Sequence, residues 1–456
     1  MRTIYKARKI EKEFGDSRLS ARHEKLVSSL SQGFGGSLTE SQWQPHDQKG
    51  MYRFFGNPQV TPEKQLCAHK SRIHAQLEGK KRILQLNDTV ELDLTGKRNA
   101  PHLGSLNYVH RKGMHLHSSL LVDCKGVPMG LLAQTYHPER QLGMGKKSRD
   151  EDFETKESYR WKIHLEEGAA LARLHPDSEI VYVADREADM IELFQARSET
   201  NLHLVIRALH NRKLAHGQGK LFEALDKAPF GKYVWIEATD SRTHQPRLAL
   251  VEVRFLAVTL QQNRNLQNKS KTKIPLFAIL VREVQQDFDI EPILWRLLTT
   301  LPISEIDDAI VFAQYYALRW IQERFHFLLK SGGANVENLQ LQTTHRLTNA
   351  ITTYSMAALN ALKIHYAAKN QPELSAFDLG VTSQQYQALC FYLNNTRTEL
   401  RLDPNISPTI EFFTLQLARI IGFKPSKSYP LPGLKILNRA LLKLEIITEV
   451  FNMHPN

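Results

Sequence analysis

The feature that most constrains the fold is a change of pattern between residues 81 and 210, where short apolar runs surround one long helical stretch. Three strand-like runs come first, a helix follows, and two more strand-like runs are separated by a short helix. The predicted segments are Arg82–Leu92, Met114–Val122 and Val127–Tyr136 as strands, Lys156–Leu174 as the helix, and Glu179–Ala184 and Leu202–Ala208 as strands. A meander of strands followed by alternating strand and helix predicts a mixed α/β sheet.

The segments around this core have different patterns. About residues 214–292 the chain is rich in strands again, at Tyr233–Glu237, Leu248–Leu260 and Ile274–Val281, and after Trp295 it is mostly helical. We predict a helical N-terminal domain at 1–75, a mixed α/β core at 76–340 with a β-rich insertion at about 214–292, and a helical C-terminal domain at 341–456. The order of elements in the core is that of a ribonuclease-H-like fold.

Composition narrows the class of protein. The 456 residues are 42% hydrophobic and 24% charged, which is typical of a globular protein and excludes a disordered or collagen-like chain. No run approaches the roughly 18–20 apolar residues that a membrane-spanning helix needs. The three cysteines, Cys67, Cys124 and Cys390, have neither disulfide-framework nor zinc-site spacing. We expect a soluble, cytoplasmic protein.

Positive charge is concentrated near the N-terminus. The chain carries 60 Lys or Arg against 48 Asp or Glu, a net charge of +12, and the first 85 residues hold 16 of those bases against 8 acids. Asp16-Ser17-Arg18 and Thr61-Pro62 are helix-start patterns within this region. The basic residues of this region either form a solvated surface or contact a polyanion. The same two alternatives apply to the basic stretch Gln261–Lys273, which lies between two predicted strands.

Two aspartates stand at positions where α/β sheets often build sites. Asp88 lies within the first predicted strand, and Asp185 directly follows the strand Glu179–Ala184. If the two strands are neighbours, their carboxylates emerge side by side. Each aspartate alone is also explained as a turn former or helix cap.

A predicted helix near residues 305–330 carries a polar stripe. At the helical repeat, Tyr316, Arg319, Glu323 and Lys330 fall within about 60° of one another. A surface ion pair between Arg319 and Glu323 explains part of this pattern equally well. Combined with Asp88 and Asp185, however, Glu323 completes three carboxylates from separate elements, the ligands that two Mg²⁺ ions need for phosphoryl transfer.

The signature Tyr316-x2-Arg319-x3-Glu323-x6-Lys330 is accompanied by Asp88 and by the stretch Asp185-Arg186-Glu187-Ala188-Asp189. Together these residues resemble the DDE transposases of the insertion-sequence-four family, and the similarity runs nearly end to end. The resemblance implies a ribonuclease-H-like core in which Asp88, Asp185 and Glu323 hold two Mg²⁺ ions, with Mn²⁺ as a substitute.

The resemblance also implies contacts with the transposon end. It assigns such contacts to Tyr316, Arg319, Lys330 and Arg207, and stacking on a flipped base to Trp295, although a tryptophan there is as often core. In the N-terminal domain it points to Arg22, Lys49 and Arg53. It further implies a homodimer formed through Leu417–Phe423 and the last helix, whose apolar stripe consists of Leu434, Ile436, Leu437, Leu441, Leu444 and Ile447. That stripe is also explained as an intramolecular core.

The implied activity is cut-and-paste transposition in a bacterial cytoplasm, on double-stranded DNA at both transposon ends and target. The end is nicked, the freed 3′-hydroxyl forms a hairpin, water opens it, and the 3′-ends then attack target DNA. Three alternatives stay open on the residues alone. They are a structure-selective nuclease on the same fold, a DNA-binding regulator without activity, and a zinc protein that uses His115 and His117, which lack further ligands at suitable spacing.

Overall fold

The architecture is a large mixed sheet covered by helices on both faces. A computed structural model describes residues 14–32, 45–97, 103–108, 110–138, 153–240, 246–261, 273–284, 291–396, 401–427 and 429–453. Most of the basic stretch predicted between 261 and 273 lies outside these described residues.

Three helices open the described chain: α1 (Ser17–Gln32), α2 (Pro45–Phe55) and α3 (Pro62–Leu77). Their starts follow the local chemistry of the sequence. The backbone N–H of Arg18 donates to Asp16 Oδ1 at 2.8 Å, and that of Lys64 donates to Thr61 Oγ1 at 3.4 Å. Pro62 stands in the first turn of α3, where its missing N–H costs no helical hydrogen bond.

Among the described residues, the sheet contains ten strands. They are β1 (Arg82–Asp93), β2 (Gly104–Ser105), β3 (Lys112–Val122), β4 (Pro128–His137), β5 (Glu179–Ala184), β6 (Leu202–Arg207), β7 (Lys232–Thr239), β8 (Pro246–Gln261), β9 (Lys273–Glu283) and β10 (Leu294–Thr299). The spatial order is β2-β3-β1-β5-β6-β10-β9-β8-β7, and β4 also pairs with β3. Strand β1 is antiparallel to β3 and parallel to β5, which in turn is parallel to β6.

The predicted β-rich insertion continues this same sheet. Strands β7, β8 and β9 form an antiparallel meander, and β9 pairs with β10, which is itself antiparallel to β6. The insertion therefore extends the sheet beyond β6, on the side away from β1.

The remaining helices are α4 (Tyr159–Leu174), α5 (Ile191–Ala196), α6 (Leu221–Asp226), α7 (Ile306–Ala317), α8 (Trp320–Lys330), α9 (Thr344–Asn370), α10 (Ser383–Thr396), α11 (Ile410–Arg419) and α12 (Leu434–Met453). Alternate residues of the central strands point to opposite faces. On β5, Val181 and Val183 join the core under α7, α8 and α9, whereas Ile180 and Tyr182 join the core under α4 and α5. A third apolar cluster unites the end of α9 with α10, α11 and α12.

The helix predicted near 305–330 is in fact two helices, which corrects the assumption of one continuous repeat. Helix α7 ends at Ala317 and α8 begins at Trp320. Between them the backbone N–H of Arg319 donates to the Tyr316 carbonyl, three residues back, at 3.0 Å. This tighter turn interrupts the α-helical repeat from which the common stripe was predicted. The guanidinium of Arg319 nevertheless lies over the Tyr316 ring, 6.0 Å from its centre.

The apolar stripe predicted for the last helix packs mainly within this chain. Leu434, Leu437, Leu441 and Leu444 of α12 are buried in the chain's own core, which favours the intramolecular-core interpretation of these four residues. The apolar side chains that α12 leaves exposed are Ile446, Val450 and Met453, which lie toward its C-terminal end.

Candidate functional site

Asp88 and Asp185 lie next to each other in the register of the sheet. The parallel pairing of β1 with β5 ends where Leu86 is opposite Val183. Two residues further along both strands, Asp88 and Asp185 occupy corresponding positions at the carboxyl end of β5. The neighbouring strands that the sequence required are thus present, and they bring the two aspartates to the same edge.

Each aspartate accepts a nearby backbone hydrogen bond. The N–H of Thr89 donates to Asp88 Oδ1 at 2.9 Å. Asp185 precedes the short 3₁₀ turn Arg186–Ala188, and its Oδ1 accepts from the N–H of Glu187 at 2.9 Å. These bonds set the rotamer of each carboxylate before any ligand arrives.

Glu323, on the first turn of α8, is joined to Asp88 through Arg319. The guanidinium of Arg319 donates from Nη1 to Asp88 Oδ2 at 3.1 Å and from Nη2 to Glu323 Oε1 at 2.7 Å. The structure therefore brings together the three predicted carboxylates and the predicted arginine, although the latter binds acids rather than standing free.

Burial and the neighbouring acids make Asp88 costly to ionise. Burial raises the pKa of Asp88 to about 7; Arg319 opposes the rise, and the nearby Asp185 and Glu323 add to it. Burial acts to lower the pKa of Arg319, but Asp88, Tyr316 and Glu323 outweigh it and raise that pKa above its ordinary value. Arg319 therefore stays charged and neutralises part of the acidic cluster.

The donor set fits a hard divalent cation by its chemistry, since Asp185 and Glu323 lie near Asp88 and the three carboxylates come from three elements. Within the described ranges, no group of three or more His, Cys, Asp or Glu is spaced closely enough to hold a metal ion. At this site the guanidinium of Arg319 lies between the oxygens of Asp88 and Glu323. Asp88, Asp185 and Glu323 could ligate a metal once that guanidinium withdraws.

The other members of the polar stripe lie in different environments. Tyr316 is only 4% exposed, and its ring packs edge-on against Trp295 with 5.1 Å between ring centres. Lys330 donates from Nζ to the Glu91 carbonyl at 2.8 Å and pairs with Glu337 at 3.0 Å. Both residues are therefore engaged within the chain.

Arg207 and Trp295 lie close together across two strands. Arg207 ends β6, and its Nη2 donates to the carbonyl of Leu294, the residue before Trp295 on β10. Trp295 is half-buried and packs against the core beneath α7. The tryptophan therefore packs in part against the core, as one of the two sequence interpretations expects, and its base stacking stays a prediction.

The N-terminal candidates divide by exposure. Lys49 and Arg53 are exposed on α2. Arg22 of α1 instead donates to Asp47 Oδ1 at 2.8 Å, and its guanidinium lies over Gly50, where a Cβ would be 2.8 Å from the Arg22 Cζ. Lys25 donates to the other oxygen of Asp47 at 2.8 Å, a partner that sequence reasoning missed.

His115 and His117 are both on β3 but serve separate contacts. His115 Nε2 lies 3.2 Å from Glu91 Oε1, and His117 Nδ1 lies 2.8 Å from Thr89 Oγ1. His117 also packs against Trp161. Its pKa lies well below the usual value for histidine, and burial is the main cause. The histidines belong to the sheet interior, and no described third ligand joins them to form a zinc site.

Asp189, the last residue of the Asp-Arg-Glu-Ala-Asp stretch, is buried and holds the chain after β6. Its Oδ2 accepts from the N–H groups of Leu209 at 2.7 Å and His210 at 2.9 Å, and it pairs with Arg212. This aspartate braces a loop beside Arg207 rather than joining the carboxylate cluster.

Arg160 of α4 is the residue at this site that sequence reasoning missed. Its Nε donates to Thr89 Oγ1 at 3.2 Å and its Nη2 donates to Glu187 Oε2 at 2.8 Å. No local spacing could indicate these contacts, because the partners are 71 and 27 residues away in the chain.

None of the described helices is both long enough and apolar enough to cross a membrane. A search of solved structures matches a piggyBac transposase synaptic complex with hairpin DNA, at 11% identity and a TM-score of 0.31. The match covers 80% of this chain, which spans 62% of the length of that chain, and at this TM-score it supports no argument about the site. Residues 8–60 match the family model described as "Transposase DNA-binding". The N-terminal segment, with α1 and α2, is therefore similar to the DNA-binding segment of transposases, which supports a DNA transposase.

Proposed function

We propose that this chain is a DDE transposase of the insertion-sequence-four kind, which binds terminal inverted repeats and catalyses Mg²⁺-dependent excision and strand transfer. The observation that carries the proposal is the convergence of Asp88, Asp185 and Glu323 at one edge of the sheet. The match of residues 8–60 to a transposase DNA-binding family adds a substrate class to that chemistry.

The ribonuclease-H-like character of the core is part of this proposal. Strands β4, β3 and β1 form an antiparallel meander, and β5 and β6 then continue from β1 in parallel. Helix α4 connects β4 to β5 and covers one face of the sheet. This connectivity supports the fold that the element order predicts.

Asp88, Asp185 and Glu323 would hold the metal ions. Mg²⁺, or Mn²⁺ in its place, would supply an activated oxygen nucleophile and charge stabilisation at the scissile phosphate. In the absence of metal, the positive charge of Arg319 pairs with these carboxylates. Once the guanidinium moves away from them, its planar group is suited to bind a DNA phosphate through two hydrogen bonds.

The proposed reaction uses only phosphodiester chemistry. Water cleaves one strand at the transposon end, and the released 3′-hydroxyl attacks the opposite strand to form a hairpin. A second water opens the hairpin, and the 3′-hydroxyl then attacks a phosphodiester of target DNA. Each step exchanges one oxygen at phosphorus for another, so no organic cofactor is required.

The proposed DNA contacts fall into two groups. Arg22, Lys49 and Arg53 would bind the end from the N-terminal helices, and Lys49 and Arg53 already face solvent. Arg207, Trp295, Tyr316 and Lys330 would contact the DNA near the cut. Because Tyr316 and Lys330 have intramolecular partners, their DNA contacts would require local rearrangement.

We further propose a homodimer in the synaptic complex. Most of the apolar stripe of α12 is buried within the chain. The candidates for the contact between the two copies are therefore the exposed side chains of Ile446, Val450 and Met453.

The experiment that tests the function is cleavage of a duplex carrying the element's own termini, with Mg²⁺, followed on a denaturing gel. We expect boundary nicks and then hairpins from the wild type, none from Asp185→Asn, and normal products from the control Asp177→Asn, which changes an exposed turn. Cuts unrelated to the termini, without joining of a 3′-hydroxyl end, would indicate a nuclease instead. Binding of ends without any cleavage would indicate a regulator.

A further inference from the structure

Arg160 contacts both of the residues whose backbone amides orient the two aspartates. Thr89 donates its N–H to Asp88 Oδ1 and accepts from Arg160 Nε on its hydroxyl. Glu187 donates its N–H to Asp185 Oδ1 and accepts from Arg160 Nη2 on its carboxylate. One guanidinium thus connects two equivalent arrangements, one on β1 and one in the turn that follows β5.

The environment of Arg160 makes this connection stiff. Its side chain is only 8% exposed, and its Nη1 donates to the carbonyl of Glu157 at 2.9 Å and to its carboxylate at 3.3 Å. A buried guanidinium with carboxylate partners is held in one geometry, because leaving it unpaired would be costly. Arg160 is anchored on α4, which belongs to the helix layer rather than to either strand.

We propose that Arg160 is a positioning residue that holds Thr89 and Glu187, and through their amides holds Asp88 and Asp185 in a metal-binding arrangement. The metal-binding part of this inference rests on the proposed function. The part that concerns how Arg160 holds Thr89 and Glu187 does not. Groups that orient metal ligands typically affect metal affinity by about 10- to 100-fold.

The sign of the effect separates positioning from simple electrostatics. Removing the positive charge of Arg160 leaves the site more negative, which alone would strengthen binding of a divalent cation. Loss of positioning would weaken that binding instead. A weaker site in an arginine-deleted variant is therefore the signature of a positioning role.

The test uses the full chain with Mn²⁺ as the probe, titrated in the absence of DNA and monitored by electron paramagnetic resonance of free Mn²⁺. For Arg160→Met we expect about 10- to 100-fold weaker binding. The matched control is Arg173→Met, which removes an exposed arginine from the same helix and its bond to Glu199; we expect its affinity to stay within twofold of the wild type.

The variant Arg160→Lys distinguishes the effect of the positive charge from that of the guanidinium geometry. It also replaces Arg160→Met in the test if that variant does not fold. It keeps the positive charge, but one ammonium cannot reproduce the planar fork that reaches Thr89 and Glu187 in different directions. We expect Mn²⁺ affinity to fall in this variant too, at an unchanged melting temperature. Unchanged or tighter Mn²⁺ binding in a folded Arg160→Met or Arg160→Lys variant would overturn the proposal.

A second readout needs no metal. Hydrogen–deuterium exchange of the metal-free chain should be several-fold faster in peptides containing Thr89 or Glu187 in Arg160→Met than in Arg173→Met. Equal exchange rates in the two variants would overturn the proposal that Arg160 holds Thr89 and Glu187 in place. If wild type and Asp185→Asn bind Mn²⁺ equally, the proposed metal site fails, while faster exchange at Thr89 and Glu187 would still support the geometric connection.

Discussion

The guanidinium of Arg319 donates to Asp88 at 3.1 Å, so the most buried carboxylate of the candidate site has a cationic partner from a different layer of the fold. Asp88 lies on the sheet, whereas Arg319 stands at the break between α7 and α8. The same guanidinium also binds Glu323. Arg319 consequently binds Asp88 and Glu323, two of the carboxylates that the proposed metal ions would need as ligands.

Replacement of Arg319 should change metal binding and cleavage in opposite directions. In Arg319→Gln we expect Mn²⁺ to bind about tenfold more tightly without DNA, because a competing cation is removed from the carboxylates; tenfold corresponds to about 1.4 kcal/mol. We expect end cleavage to fall, because a DNA-phosphate contact is lost. Calorimetric titration and a gel assay measure the two effects. Arg324→Gln, on the same helix but packed against the Phe327 ring, is the control, and weaker Mn²⁺ binding in Arg319→Gln would contradict competition.

Asp88 should make the metal-free chain less stable as pH rises. Its pKa is raised from 3.8 to about 7 in the folded state, so between those values the folded chain binds more protons than the unfolded chain. Stability relative to Asp88→Asn should therefore fall across pH 4–7, by at most about 4 kcal/mol. Thermal unfolding of both proteins in a chelator buffer measures the difference. Parallel pH profiles for wild type and Asp88→Asn would show that Asp88 titrates normally.

Arg53 should contribute to end binding mainly through phosphate. It is exposed on α2, within the segment that matches a transposase DNA-binding family. In Arg53→Ala we expect weaker binding to an end duplex and a slope of log affinity against log salt that is shallower by about 0.9. Fluorescence anisotropy over a salt series measures both. Arg173→Ala serves as the remote control, and an unchanged slope in Arg53→Ala would exclude a phosphate contact.

Asp189 should be required for stability rather than for chemistry. Its carboxylate is buried and serves two backbone amides and Arg212. Asp189→Ala leaves those donors unpaired, and we expect a loss of about 3–5 kcal/mol in the free energy of unfolding. Urea denaturation followed by circular dichroism measures the loss. Asp177→Asn is the control, and a loss below 1 kcal/mol would mean that water replaces the carboxylate.

Local patterns were sufficient to predict the elements of the core. The strand Glu179–Ala184 has the predicted bounds, and the start of α3 after Thr61 follows the expected cap and proline. These features depend on neighbours within a few residues, whose spacing and backbone preferences can be read along the chain. From the sequence alone, the adjacency of the strands at Asp88 and Asp185 is only a condition, and the pairing of β1 with β5 meets that condition.

Long-range contacts were decided by the tertiary structure. Periodicity predicted one helix where α7 and α8 are separate, and it could not indicate that Arg319 would bind Asp88, 231 residues away. Nor did any spacing point to Arg160, whose role depends on α4 packing beside two strands.

The sequence by itself determined which carboxylates are available, which segments become strands and helices, and that the N-terminal region is strongly basic. Only the tertiary structure decided which cation lies between which acids, and that most of the α12 stripe is core. The physical reason is that secondary structure follows short-range backbone preferences, whereas the partner of a buried charge is selected by packing among elements distant in sequence.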